Sequence, residues 1–260
     1  MAIKGAILGD IAGSQYEFSR PKAPGSCSLF TDRCSFTDDT VMSLALKKAI
    51  DGNLDYADTM REIGRYYPGC GYGGRFGKWI SQDGAKAYGS YGNGSAMRVS
   101  YVADYYDDLE MVKKAAAETA RVSHDHPEGI KGAVTTAVCI WMARHGKGKQ
   151  DIYEYVLAQY PPNQYQFSID QPVDDLKKNY HWNETCMGSV PVAMRCFYES
   201  SDFESFMRLL FQLDCDMDTL GAIGGGVVEE YYQGVGFDGD QVIRRYLDKR
   251  LTEILYGTLR

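Results

Sequence analysis

Asp39-Thr40-Val41-Met42-Ser43-Leu44-Ala45-Leu46-Lys47-Lys48-Ala49-Ile50 is the stretch whose spacing decides the fold. Val41, Leu44, Ala45 and Ala49 fall on one stripe at the helical period, and Gly52 follows as a stop signal. Outward from it the same period recurs. Residues 109–122 repeat the stripe, and 127–144 open with a proline in the first turn and close before Gly146 and Gly148. Further helices are expected over residues 55–66, 95–105, 152–159, 190–198, 203–213, 219–232 and 241–255. No stretch alternates apolar and polar residues cleanly, and no Asn-Gly or Asp-Gly pair lies between two such runs. The fold class is therefore all-α. The Pro/Asn/Gln-rich stretch 160–172 is the one sizeable irregular segment expected, and about a dozen residues suit an excursion within a domain better than a boundary. Residues 1–260 are read as a single domain.

Composition narrows the classes. A chain of 260 residues, 44% hydrophobic and 24% charged, has material for a dry core and too little charge for disorder. Its 28 Lys and Arg against 35 Asp and Glu, a net charge of −7, exclude a polybasic surface. No sequence-specific nucleic-acid partner is expected, and any phosphate recognition must use local devices. The segment Met1 to Ser14 carries one Lys and an apolar run broken by Asp10, and nowhere do ~18 apolar residues run uninterrupted. That predicts neither a signal peptide nor a membrane partner, and a cytoplasmic protein. The seven cysteines are odd in number and form no C-x-x-C pair, which argues against a disulfide framework and a zinc site and for buried free thiols.

Acids and hydroxyls cluster at two expected helix starts, Phe36-Thr37-Asp38-Asp39-Thr40 and Asp214-Cys215-Asp216-Met217-Asp218-Thr219. The ordinary reading of each is capping, since Asp and Thr are favoured caps and complement the helix dipole. One cap needs one acid. Two or three side by side before an apolar helix repel one another, and a cation relieves that repulsion, so metal binding is placed ahead of capping. Because every candidate ligand is a hard oxygen, the metals expected are Mg²⁺ or Mn²⁺, as a pair, and not Zn²⁺. Asp214-x-Asp216-x-Asp218 also opens like a calcium loop, but the sixth position is Thr219 and the twelfth Gly225, where such a loop needs Gly and Glu. An aspartate-nucleophile phosphatase is the weaker alternative: the position two after Asp216 is Asp218 and no alternating α/β chain follows.

Glycine turns supply a second kind of site. Gly89-Ser90-Tyr91-Gly92-Asn93-Gly94-Ser95 leads into a helix carrying Met97 and Arg98, and Gly188-Ser189-Val190-Pro191 opens another. Small residues before a helix expose backbone N–H groups that bind phosphate without a basic side chain. No G-x-x-x-x-G-K-[ST] or strand-anchored G-x-G-x-x-G is present, so neither a nucleotide triphosphatase nor a dinucleotide-fold oxidoreductase is supported. Of four histidines, His124 and His126 share one turn before a helix, where one of the pair is expected to cap or face solvent and His124 to contact a ligand.

Six colinear segments resemble the ADP-ribosylglycohydrolase family: Gly5 to Ser14 with Tyr16-Glu17-Phe18, Phe36 to Thr40, Gly92 to Arg98, Ser123-His124 with Pro127, Gly188 to Pro191, and Asp216 to Thr219. The resemblance implies an orthogonal all-α bundle with two Mg²⁺ (or Mn²⁺) ions at the bottom of a cleft, cleaving the bond between ADP-ribose and an acceptor. It implies metal ligands at Thr37, Asp38, Asp39, Asp216, Asp218 and Thr219. It further implies a diphosphate cradle at Gly92, Asn93, Gly94, Ser95 and Met97, helped by Gly188 and Ser189, and a substrate contact at His124. Glu17 matches a glutamate on a loop by the metals in the branch acting on O-linked ADP-ribose. One departure stands out: the family usually has two glycines where this chain has Asp214-Cys215, and side chains there would crowd the metal loop or add a carboxylate.

Cleaving a ribosyl bond passes through an oxocarbenium-like state, helped by activating the leaving group and by delivering water to the opposite side. Glu17 and Asp39 are the carboxylates expected to move the proton. The expected partner is an ADP-ribosylated protein or an ADP-ribose-containing small molecule, with O-linked acceptors processed at least as well as arginine-linked ones. A non-catalytic ADP-ribose-binding or crystallin-like protein is the competing class; such a protein should have lost metal ligands, and all six are present.

Overall fold

In a computed structural model, which describes residues 1–257, the chain is helical throughout. The order is α1 (Ala2–Ser14), α2 (Asp38–Gly52), α3 (Tyr56–Gly64), α4 (Gly74–Ser81), α5 (Gly94–Met97), α6 (Ser100–Tyr105), α7 (Leu109–Arg121), α8 (Pro127–Arg144), α9 (Lys149–Gln159), α10 (Val173–Asn179), α11 (Cys186–Glu199), α12 (Phe203–Leu210), α13 (Met217–Tyr232), α14 (Gly239–Tyr246) and α15 (Lys249–Tyr256). Among the described residues the β structure is one isolated antiparallel bridge, Gly92 to Thr185. The all-α expectation is met, and the phosphatase alternative loses the sheet that its aspartate would need.

The axis of the fold is the α1–α13 pair. Every residue of α1 except Lys4 and Ser14 is buried. A helix that is apolar on all sides has no stripe, which is why periodicity did not find it. What lets it pack is glycine: a Cβ on Gly9 would sit 2.0 Å from Gly221 O, one on Gly5 2.2 Å from Gly225 O, and one on Gly13 2.4 Å from Met217 O. With no side chains between them, the two backbones touch over two helical turns, and Asp10 on α1 comes level with the start of α13. Asp104 fixes the other end of α1, accepting from Ala2 N at 2.8 Å and Ile3 N at 2.9 Å.

Several expected boundaries move. The run 95–105 breaks at Arg98 and Val99 into α5 and α6, and 241–255 breaks at Leu247 because Asp248 caps a new helix by accepting from Leu251 N at 2.9 Å. The run 203–213 ends at Leu210, whereas α9, α11 and α13 start a few residues earlier than expected, α11 at Cys186. The helices α1, α4 and α10 were not expected. The segment 160–172 is irregular as read, but it is not the only such stretch, since 15–37 is longer. Both ends of α8 behave as read: Pro127 stands in the first turn and His126 caps it, accepting from Glu128 N at 3.1 Å. All seven cysteines are free thiols. No helix among the described residues is long and apolar enough to cross a membrane.

Candidate active site

The helices α2 and α13 begin beside one another. Thr37 caps α2, its Oγ1 accepting from Asp39 N at 3.3 Å, with Asp38 and Asp39 in the first turn. Asp216 stands at the N-cap of α13, with Asp218 in its first turn. From α1, Asp10 reaches across: Oδ2 accepts from Thr37 N at 3.0 Å, Thr40 N at 3.1 Å and the Thr40 hydroxyl, while Oδ1 accepts from Thr37 Oγ1 at 2.9 Å. One carboxylate from a neighbouring helix thus satisfies two of the N–H groups at the start of α2, while Asp38 N donates to Cys70 O at 2.7 Å. The remaining acids are not needed for capping there. Carboxylate oxygens of Asp10, Asp39 and Asp218 lie within 4.8 Å of one another, as do those of Glu17, Asp216 and Asp218. Asp218 belongs to both groups, and Asp39 Oδ1 is buried with no hydrogen-bond partner. Converging, anionic, under-partnered oxygens fit a pair of hard divalent cations.

Glu17 arrives on the loop after α1. Tyr16 anchors that loop, its buried ring packed edge-on against Phe211 at 5.0 Å. On the outer side Phe18 stacks on Trp182, centroids 5.7 Å apart. Between the two anchors Glu17 faces Asp216 and Asp218.

These acids form one end of a cleft of about 280 Å³, and the other end carries different chemistry. There the lining comes from Gly92, Asn93, Gly94, Met97 and His124, with Tyr88, Phe76 and Arg75. The bridge to Thr185 holds the glycine turn, through Asn93 N donating to Glu184 O at 2.8 Å and Cys186 N to Tyr91 O at 2.9 Å. Asn93 joins the two ends: its Nδ2 donates to Asp216 Oδ2 at 2.8 Å and to Ser189 Oγ at 3.0 Å. The His124 ring lies between Phe76 and Tyr88, each centroid 5.9 Å away.

Burial dominates the electrostatics. It pushes Asp10 up to about 6 despite the hydrogen bonds that favour its charged form. Asp38, Asp39 and Asp218 stand well above the ordinary carboxylate range, first through burial and then through one another's charge and that of Asp10 and Asp216. Asp216 is also raised by burial, against the hydrogen bond from Asn93. Glu17, half-buried, is pushed up to about 7 by burial and then by Asp216, Asp10 and Glu184. His124 goes the other way, held far below its usual range by burial and then by the Arg98 and Arg75 charges. Two helix N-termini supply partial positive charge to the acids, too little to neutralise them.

Of the residues singled out from sequence, Glu17, Asp38, Asp39, Gly92, Asn93, Gly94, Met97, His124, Asp216, Asp218 and Thr219 line the cleft. Thr37, Ser95, Gly188 and Ser189 stand behind its wall. Thr37 is engaged with Asp10 and Asp39, and Ser95 Oγ donates to Gly129 O at 2.7 Å. Gly188 lies inside the first turn of α11, where a Cβ would strike the Asn183 side chain at 2.2 Å, and Ser189 Oγ supports Asn93. The expectation that Gly188 and Ser189 open a helix is corrected, because α11 starts before them at Cys186, and neither is among the residues that line the cleft. Asp214 does not enter the cleft either; its Oδ2 lies 3.5 Å from His181 Nδ1 near the surface, and Cys215 turns inward toward Leu210 O. Sequence reasoning missed Asp10, Arg75, Phe76, Tyr88, Trp182 and Glu184. For Asp10 there was a signal, a lone acid inside an apolar run, and the other five depend on packing alone.

Comparison with known proteins agrees with this geometry. The family profile described as ADP-ribosylglycohydrolase matches residues 1–228. The protein named ADP-ribosylhydrolase ARH3 of Bos taurus is 26% identical, over 88% of this chain and 83% of its own length. Its namesake in Homo sapiens is also 26% identical, over 88% of this chain and 84% of its own. A solved ADP-ribosylglycohydrolase-related protein complex shares the fold, with a TM-score of 0.70 over 99% of this chain and 96% of that chain at 22% identity. The matched span carries both acid-bearing helix starts, the Glu17 loop and the glycine turn, and the chain belongs to the ADP-ribosylglycohydrolase family.

Proposed function

We propose that this protein is a divalent-metal-dependent hydrolase that releases ADP-ribose from an acceptor, a modified side chain or a small molecule. The observation that carries the reading is the meeting of Glu17, Asp39, Asp216 and Asp218, with Asp10 buried behind them, in a cleft that glycine, asparagine and histidine also line. Asp38, Asp39, Asp216 and Asp218, with the hydroxyls of Thr37 and Thr219, would hold two Mg²⁺ or Mn²⁺ ions, Asp10 bracing them from α1. When bound, the ions supply an acidified water and a hold on the ribose hydroxyls.

The chain's own residues do the rest. The turn at Gly92 to Gly94 receives the diphosphate: Gly92 N and Asn93 N are held by Ser90 Oγ and Glu184 O, which leaves the Gly94 N–H at the start of α5 for the ligand, with Arg75 at the mouth as the single Lys or Arg among the described lining residues. Asn93, tied to Asp216, sets the distance between the diphosphate and the ribosyl carbon. Glu17 sits on the loop side of the acids and hands a proton to, or takes one from, the reacting oxygen, with Asp39 as the alternative carrier through its unpartnered Oδ1. A carboxyl on a loop between two aromatic anchors suits an oxygen leaving group, so O-linked acceptors are assigned ahead of arginine-linked ones. A guanidinium would call for a fixed acidic pocket beyond the metal cluster.

The test is a panel of serine-, arginine- and nucleobase-linked ADP-ribose, O-acetyl-ADP-ribose and poly(ADP-ribose), incubated with Mg²⁺ and scored for free ADP-ribose. Release from O-linked members at least as fast as from the arginine-linked one is expected. Exclusive cleavage of the arginine linkage overturns the acceptor assignment, and free phosphate in place of ADP-ribose overturns the reaction.

A further inference from the structure

One buried cation lies outside the mechanism above. Arg98, in the break between α5 and α6, is fully buried, and its Nε and Nη1 have no hydrogen-bond partner. Its guanidinium stands over the Phe76 ring at 5.4 Å. A charge held this deep costs several kcal/mol to desolvate. The contacts of Nη2 show what it organises. One Nη2–H goes to Thr119 O at 3.0 Å and the other to Ser123 Oγ at 2.9 Å, and Ser123 Oγ lies 2.8 Å from His124 Nδ1.

The proton positions along this chain are determined from its charged end. A guanidinium has donors and no acceptor, so Ser123 Oγ accepts from Arg98. The serine has one hydrogen, and the partner that remains for it is His124 Nδ1, which therefore accepts. A neutral imidazole that accepts at Nδ1 carries its hydrogen at Nε2. Nε2 is the cleft edge of the ring: a Cβ on Gly94 would come within 3.2 Å of it and one on Gly92 within 3.6 Å.

We propose that Arg98 and Ser123 are positioning residues that lock His124 as the neutral Nε2–H tautomer, aiming one donor at an anionic or hydroxyl oxygen of the ligand beside the Gly92–Gly94 turn. Phe76 and Tyr88 pack against the imidazole, which is buried, and Ser123 Oγ is the hydrogen-bond partner of Nδ1. Burial first, and then the same buried cation with Arg75, disfavours an imidazolium. The donor is thus present whatever the ring's surroundings outside the cleft. This inference rests on the reading of the cleft as an ADP-ribose site, and its test separates the two.

Long-range ¹H–¹⁵N spectra of the ¹⁵N-labelled protein report the tautomer of each histidine ring without any ligand. Wild-type His124 is expected as a single neutral Nε2–H form and Ser123→Ala as a mixture of tautomers. By calorimetry with Mg²⁺ present, Ser123→Ala should bind ADP-ribose about three- to tenfold more weakly, the size of one lost hydrogen-bond constraint. A wild-type ring found as Nδ1–H or as imidazolium overturns the relay, and so does a Ser123→Ala protein with the wild-type His124 spectrum or the wild-type affinity. Failure of the wild type to bind ADP-ribose overturns the reading of the cleft, and the spectra still decide the relay.

Discussion

The two ends of the cleft solve opposite problems. At one end Asp10, Glu17, Asp38, Asp39, Asp216 and Asp218 gather around two helix starts, and Arg75 is the one Lys or Arg among the described cleft-lining residues. At the other, the lining is the Gly92–Gly94 turn and His124, whose ring is backed through Ser123 by the fully buried Arg98. At the acidic end Asp10 is well supplied with donors but Asp39 Oδ1 has none, and several buried carboxylates face one another with no cationic side chain between them. The neutral end is braced from within the protein, Asn93 by Ser189 and Asp216 and His124 by Ser123. On the proposed function, the comparison teaches that metal and diphosphate would be bound by different means: one by uncompensated charge, the other by prearranged geometry.

The sharpest way to break the comparison is to remove an acid. Asp218→Ala, and likewise Asp38→Ala, should lower turnover by roughly 10³-fold or more, the several kcal/mol that a metal centre supplies. The metal-free protein should melt at the same or a higher temperature, since relief of like-charge repulsion offsets a lost cap of about 1 kcal/mol. A fall in metal-free stability with normal metal binding would mark these acids as caps. Glu17→Gln should cost roughly 10²–10³-fold in turnover while Mg²⁺ still raises the melting temperature, as expected of a proton carrier.

Acidity sharpens the same contrast. Asp10 at about 6 and Glu17 at about 7 titrate above their unfolded values of 3.8 and 4.5, so the folded state keeps protons that the unfolded chain releases. Metal-free stability should therefore be highest at acid pH and fall as pH rises through the window from about 4 to about 7, with Asp38, Asp39 and Asp218, also raised by burial, adding to the fall. Asp10 alone accounts for on the order of 2–3 kcal/mol. Thermal melts across that window with chelator present check the slope, and added Mg²⁺ should raise the melting temperature most at its upper end. A metal-free protein that gains stability over this window would contradict the picture of uncompensated acids. Smallest is Asn93→Ala, which removes the link between the ends: ADP-ribose affinity should fall about tenfold or less, one hydrogen bond to a charged group, with the fold intact by circular dichroism.

The acidic end was legible in sequence because its signal is local. Two acids beside Thr37 and two beside Thr219 exceed what one helix start uses, and that excess can be counted without a structure. Asp10 was not assigned a role because its partners lie on α2, and α1 itself shows no stripe. Its identity as a helix depends on Gly5, Gly9 and Gly13 meeting Gly225, Gly221 and Met217 across space. At the neutral end, Gly92, Asn93, Gly94 and His124 were legible as cleft-lining residues, while α11 begins at Cys186, ahead of Gly188 and Ser189, which are not among the lining residues. Phe76 and Tyr88, which hold the His124 ring, come from segments whose placement only packing decides.

The central claim, that the acid cluster is a metal centre serving ADP-ribose release, is tested most directly on one sample. The protein is stripped with chelator, verified metal-free by elemental analysis, and assayed for ADP-ribose release from an O-linked substrate before and after Mg²⁺ or Mn²⁺ is restored. The account predicts no turnover in the stripped protein, recovery on adding either ion, and no recovery in Asp218→Ala. Full turnover by the verified metal-free protein would contradict it.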